Sequence, residues 1–191
     1  GTDGVFDLQR IASVINRAGP DVVAVQDLDS ITQRTGQINL LRLLADTTLM
    51  YPVFAPAIPH EGGQYGIGML SKEKPLSSYQ IPLPGREEML TLLIVEFEQF
   101  YMGCTHFSLN ALDRQTSVEL LWKEAEKLDK PFFIAGDFNA RPDAPVMEAF
   151  TNDFVLCNNP KPAGKEKGVM EDIEGNKKKG KPITTVRTWI R

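Results

Sequence analysis

Cysteine and histidine are both scarce in this 191-residue chain, with two of each. Cys104 and Cys157 are too few and too far apart for the disulfide framework of a small secreted scaffold, so both read as small core residues and the compartment stays open. Zinc motifs are missing too. His60-Glu61 lacks the second histidine of a helical HExxH and, in its Gly-rich setting, reads as a solvated pair in a loop that borders a groove. No apolar run is long enough to span a bilayer. The opening Gly1-Thr2-Asp3-Gly4 has neither the basic residues nor the apolar stretch of a secretory signal, although a cleaved signal would leave no trace. Positive charge is not in excess: a net charge of −4 argues against a generally basic protein that coats nucleic acid, while leaving room for local basic groups. There is no internal repeat and no linker. At 42% hydrophobic and 24% charged residues, 1–191 reads as a single domain with a sizeable core.

What is present centres on Pro131-Phe132-Phe133-Ile134-Ala135-Gly136-Asp137-Phe138-Asn139-Ala140-Arg141-Pro142. Residues 132–135 form an apolar run of strand length, which Gly136 is expected to break before Asp137 and Asn139. A spacing of two puts those side chains on one side of a near-extended chain. A carboxylate and a carboxamide converging at a strand end make a hard-oxygen site suited to Mg²⁺ and an adjacent phosphate oxygen. The same residues are also consistent with a plain Asx turn.

Along the chain, Asp7 is placed to cap a helix whose apolar stripe is Leu8, Ile11, Val14, Ile15 and Ala18, ended by Gly19-Pro20. Residues 22–25 read as a buried strand closed by Gln26 and Asp27. Residues 39–48 read as a helix on a sheet, and 51–56 and 66–70 as strands joined by the His60-Glu61-Gly62-Gly63 loop. Residues 76–83, 90–97 and 100–107 read as three consecutive strands, whose short links predict antiparallel pairing. The longest helix is expected over 111–128, with Arg114, Glu124 and Lys127 solvated. A short helix at 144–150 and strands at 153–157 and 183–190 follow. Residues 158–182, rich in Lys, Gly and Pro, read as a long loop, with a phosphate-contacting arm as the functional alternative.

Gly136-Asp137-Phe138-Asn139-Ala140-Arg141-Pro142 resembles the GDFN-x-x-P signature of the endonuclease/exonuclease/phosphatase superfamily, which includes DNase I, exonuclease III-like nucleases, inositol-polyphosphate phosphatases and sphingomyelinases. Asp21-Val22-Val23-Ala24-Val25-Gln26-Asp27, Tyr65-Gly66-Ile67-Gly68-Met69-Leu70-Ser71 and Thr105-His106-Phe107-Ser108 recur in that group's order, so the likeness covers most of residues 5–157. The resemblance implies a DNase I-like fold: a four-layer α/β sandwich of two largely antiparallel sheets flanked by helices. It also implies a divalent-metal-dependent phosphoesterase acting on nucleic acid, a sugar or inositol phosphate, or a phospholipid head group. Asp27 would hold Mg²⁺ or Mn²⁺, Asp137 would orient the nucleophilic water, and Asn139 and His106 would hold phosphate oxygens.

The chain departs from the family pattern in three places. Asp27 stands where the family usually has glutamate, which withdraws the carboxylate by one methylene and is expected to weaken a coordination shell near 2.1 Å. A first-strand asparagine and a C-terminal Asp-His pair are also missing from the sequence, so the expectation is a domain incomplete at both ends and weak as a catalyst. The alternative from another class is a non-catalytic binding or scaffold domain that kept the fold after losing site residues.

Overall fold

Two runs of apolar β-formers set the centre of the molecule. β5 (Leu90–Glu96) and β6 (Tyr101–His106) are buried on both faces over most of their length, as near-continuous apolar strands should be when both sides of a sheet are covered. The computed structural model describes residues 7–141, 143–150, 154–156 and 186–190, with side chains for 7–141, 143–148 and 154. The 158–182 loop, Cys157, Asp153 and Arg191 lie outside the described residues.

α1 (Leu8–Ala18) precedes β1 (Val22–Ser30), and α2 (Leu40–Thr48) leads into the hairpin of β2 (Tyr51–His60) and β3 (Gly63–Ser71). These strands form a three-stranded antiparallel sheet in the order β1-β3-β2. β4 (Ser77–Leu83), β5, β6, β7 (Phe132–Asp137), β8 (Val155–Leu156) and β9 (Val186–Ile190) form the second sheet, in the order β4-β5-β6-β7-β9-β8. Every pair in it is antiparallel except β6 with β7, which run parallel because α3 (Ala111–Ala125) carries the chain back across the sheet. α4 (Pro145–Phe150) follows β7.

The layering follows from where apolar residues point. Ala55, Ile67 and Met69 from the small sheet meet Leu93, Val95, Phe97, Met102 and Cys104 from the large one. The outer face of the large sheet packs Leu92, Ile94 and Ile134 against Val118, Leu121 and Ala125 of α3 and Met147 of α4. The outer face of the small sheet covers Leu28 and Leu70 with Ala12 of α1 and Leu41 and Leu44 of α2. The result is the expected helix/sheet/sheet/helix sandwich.

Several local expectations are corrected. In α1 the buried residue is Ala12, while Ile11 is exposed; the Asp7 cap, accepting from the Arg10 N–H at 3.0 Å, and the left-handed Gly19 stop are as expected. β1 does not close at Gln26 and Asp27 but continues to Ser30 through a bulge, and its 22–25 portion is half-buried. His60 to Gly63 is not a loop: Glu61 and Gly62 both adopt positive φ, 43° and 80°, which gives the tight turn that matches strand twist in a hairpin. α3 ends at Ala125, where 3-10-type bonding of the Lys127 N–H to the Glu124 carbonyl tightens the chain. Glu124 and Arg114 are not free in solvent. The Tyr79 hydroxyl donates to Glu124 at 2.9 Å, and Arg114 donates to the carbonyls of Ser108 and Leu109 at 3.0 and 2.7 Å.

Gly136 stays inside β7 rather than breaking it. A β-carbon there would collide with the backbone of Thr105 on β6, so glycine is what permits β6 and β7 to pair up to their last residues. Gly136→Ala is expected to destabilise the fold by about 3 kcal/mol, the upper part of the overpacking range, because backbone cannot swing aside as a side chain can. Urea denaturation measures this, and an unchanged midpoint would mean that the strands separate at little cost.

Candidate active site

Parallel pairing brings the C-terminal ends of β6 and β7 to the same edge, with His106 directly opposite Asp137 in register. The Phe107 N–H donates to the Asp137 carbonyl at 2.8 Å and extends the ladder one step beyond. Asp137 is 9% exposed, and its Oδ2 lies 3.7 Å from His106 Nε2. The chain then turns sharply. Asn139 adopts φ 44°, its N–H donates to Asp137 Oδ1 at 2.9 Å, and its side-chain Nδ2 donates to the Phe107 carbonyl at 2.7 Å. The near-extended geometry expected for 137–139 is therefore replaced by an Asx-type turn, in which the backbone N–H of Asn139 holds the Asp137 carboxylate in place.

The third carboxyl group arrives from the other sheet. In β1, Val25 pairs with Gly68 and Leu28 with Gly66, so Gln26 and Asp27 together oppose Ile67. This bulge puts Asp27 in the left-handed region at φ 58° and turns it towards the edge where β6 and β7 end. Asp27 Oδ1 lies 3.3 Å from His106 Nδ1, so His106 stands between two carboxylates, one from each sheet. Gln26 turns the other way and donates from Nε2 to the Cys104 Sγ at 3.3 Å. Burial pushes that thiol up to about 12, which leaves no thiolate near neutral pH.

The electrostatics separate the two acids. The hydrogen bond from His106, helped by Tyr65, holds Asp27 below the usual aspartate range against the opposing effect of burial. Burial raises Asp137 above it, against the Asn139 N–H and the nearby imidazole. His106 is raised, chiefly by its bond to Asp27. Two carboxyl groups with diverging acidity at one site is the pattern that separates a charge-holding group from a proton-accepting one.

Tyr65, Arg34 and Asp29 also belong to the site, although the sequence did not single out any of them for a role. The Tyr65 hydroxyl donates to Asp27 Oδ1 at 2.6 Å, and the Arg34 guanidinium lies 5.5 Å from the Tyr65 ring centroid while gripping Asp29 through two bonds of 2.9 Å. The available signal was the position of Tyr65 at the head of a recognised stretch on β3. A groove of about 630 Å³, lined by Leu8, Asp27, Asp29, Arg34, Thr35, Ile38 and Leu40, opens beside Asp27.

Among the described residues, no three acidic, histidine or cysteine side chains gather as a metal-holding cluster. What the site offers a cation is Asp27: its side chain is 64% exposed, Oδ1 is engaged by Tyr65 and His106, and Oδ2 has no hydrogen-bond partner among the described residues. A single open carboxylate oxygen is the donor left for a hard divalent cation, a class that includes ions bound through only one or two carboxylates together with water and substrate phosphate.

Comparison with known proteins agrees with this fold. The human Nocturnin catalytic domain, solved with bound sulfate, superposes with a TM-score of 0.67 at 15% identity over 95% of this chain and 74% of that one. A family protein from Leptotrichia buccalis gives 0.68 at 13% identity over 96% and 80%. The mannosyl-6-phosphatase of Bacteroides thetaiotaomicron gives 0.58 at 15% identity over 78% and 62%. No curated protein sequence gave a match. The profile of the endonuclease/exonuclease/phosphatase family matches residues 1–189, and the chain belongs to that family of phosphoric ester hydrolases.

Proposed function

We propose that this chain is a divalent-metal-dependent phosphoesterase. The observation that carries the reading is His106 held between Asp27 and Asp137 at the meeting point of the two sheets, 3.3 and 3.7 Å from their oxygens. A cationic imidazole there matches an anionic phosphoryl group. Its charge is favoured by both neighbours; Nδ1 is engaged by Asp27, while Nε2, at 3.7 Å from Asp137 and beyond hydrogen-bond distance, is the N–H left to donate where negative charge grows as the ester breaks. Asp137, buried and raised in pKa, accepts the proton of the attacking water. Asn139, fixed by its bond to the Phe107 carbonyl, offers its remaining amide N–H to a phosphate oxygen. Asp27 would hold Mg²⁺ or Mn²⁺ through Oδ2. Bound there, such a cation supplies Lewis-acid polarisation of a phosphoryl oxygen.

The substrate is proposed as a phosphate ester of a polar alcohol. The sulfate bound by Nocturnin and the sugar phosphate named for the Bacteroides enzyme support that class. Hydrolysis of p-nitrophenyl phosphate and bis-p-nitrophenyl phosphate with Mn²⁺, and again after chelation, tests the reading. The expected result is turnover that chelation removes. Turnover unchanged by chelation would refute the metal dependence, and no turnover of either ester would refute the activity.

A further inference from the structure

We infer that Tyr65 is a positioning residue for Asp27, and that Arg34 holds Tyr65 in that role. The inference rests on the reading of Asp27 as the metal-holding carboxylate and concerns how this chain aims it. Asp27 needs such help for a reason visible in the fold: it stands on a bulge with its side chain 64% exposed. An exposed aspartate with a free χ1 samples several rotamers, and only some direct an oxygen at the edge where His106 and Asp137 lie.

The hydroxyl of Tyr65, together with His106 Nδ1 at 3.3 Å from the same carboxylate oxygen, removes that freedom. The hydroxyl donates to Asp27 Oδ1 at 2.6 Å from the neighbouring strand β3, so it occupies that oxygen and not Oδ2. A phenol O–H is a hydrogen-bond donor near neutral pH. The Tyr65 ring is fixed in turn. Arg34 lies over it at 5.5 Å, and the His60 ring flanks it at 6.1 Å. Arg34 cannot drift, since its fork is closed on the buried Asp29 by Nε and Nη2, each at 2.9 Å. Its backbone is tied to the β2–β3 turn, where the Arg34 N–H donates to Glu61 Oε2 at 2.9 Å and the Gln33 N–H to the Glu61 carbonyl at 3.0 Å. Three segments of chain thus converge on one hydroxyl. A planar guanidinium both forks onto a carboxylate and stacks on a ring, which lysine cannot do.

The test is titration of the full chain with Mn²⁺, followed by calorimetry and by paramagnetic broadening of the Asp27 amide, for wild type, Tyr65→Phe, Arg34→Lys, the double variant and Asp27→Ala. Tyr65→Phe keeps the ring and removes only the donor. It is expected to weaken Mn²⁺ binding by about 10-fold, the lower end of what partners of metal-holding side chains contribute, with a metal-free melting temperature close to wild type. Arg34→Lys should weaken binding by less, and the double variant should bind no more weakly than Tyr65→Phe alone, because Arg34 acts through Tyr65. If Tyr65→Phe binds like wild type while Asp27→Ala loses the ion, the role of Tyr65 is overturned and the reading of Asp27 stands. If the two single changes add in full, Arg34 acts independently and its part is overturned. If Asp27→Ala binds like wild type, or wild type itself does not bind, the reading of Asp27 fails and takes this inference with it.

Discussion

Asp137→Asn is expected to lower kcat on a phosphodiester by about 10²–10⁴-fold, the range for loss of a general base. The change is nearly isosteric, and the asparagine Oδ1 still accepts from the Asn139 N–H that now bonds the carboxylate at 2.9 Å. The turn and the β7 end should therefore survive, and the melting temperature should stay near that of wild type. The same residue shapes the pH profile. Burial raises its pKa, so Asp137 remains protonated at pH values where an ordinary aspartate is ionised. Activity that needs the carboxylate is absent below that raised value and appears as pH climbs through it. The acid limb of kcat/KM should lie above the usual aspartate range in the wild type and disappear in Asp137→Asn.

His106→Ala is the second change with a large expected effect, a loss of about 10²–10³-fold in kcat, as for removal of one donor to a developing anion. Two consequences act together. The phosphoryl oxygen loses its donor, and Asp27 and Asp137 are left facing each other without the cation that separates them. Like charges at such range also disfavour an anionic substrate. KM should therefore rise along with the fall in kcat, and steady-state kinetics on bis-p-nitrophenyl phosphate would show both. Retention of full kcat would remove His106 from the phosphate-stabilising role.

The sequence shows the strands that end at the site more clearly than it shows the site itself. Residues 132–135, 90–97 and 100–107 announce themselves because buried strands need unbroken apolar runs, and His106 and Asp137 follow from where those runs stop. Asp27 was legible as a residue near a strand end but not as a bulge, since nothing in Val25-Gln26-Asp27-Leu28 signals that two residues will oppose one. The role of Tyr65 carries no local signal, because its partner lies 38 positions away. The Asn139 turn was legible chemically, as Gly, Asp and Asn in sequence, yet its near-extended reading failed because a side-chain carboxylate competed for the backbone N–H. His60-Glu61 looked like a solvated loop for a related reason. Consecutive residues with positive φ make a tight hairpin turn, and only Gly62 advertises that conformation. The buried Ala12 in place of Ile11 shows that a helix face is chosen by its neighbours, here α2 and the small sheet, rather than by the bulk of its side chains.

The central claim is that His106 and Asp137 serve one phosphoryl group as a unit, and a double-variant cycle tests it most directly. Single-turnover rates on bis-p-nitrophenyl phosphate would be measured for wild type, His106→Ala, Asp137→Asn and the double variant under one metal concentration. Groups that act as a unit are grossly non-additive, so the double variant is predicted to be about as slow as the slower single one. A double variant slowed by the full product of the two single effects would show two independent contributions and contradict the account.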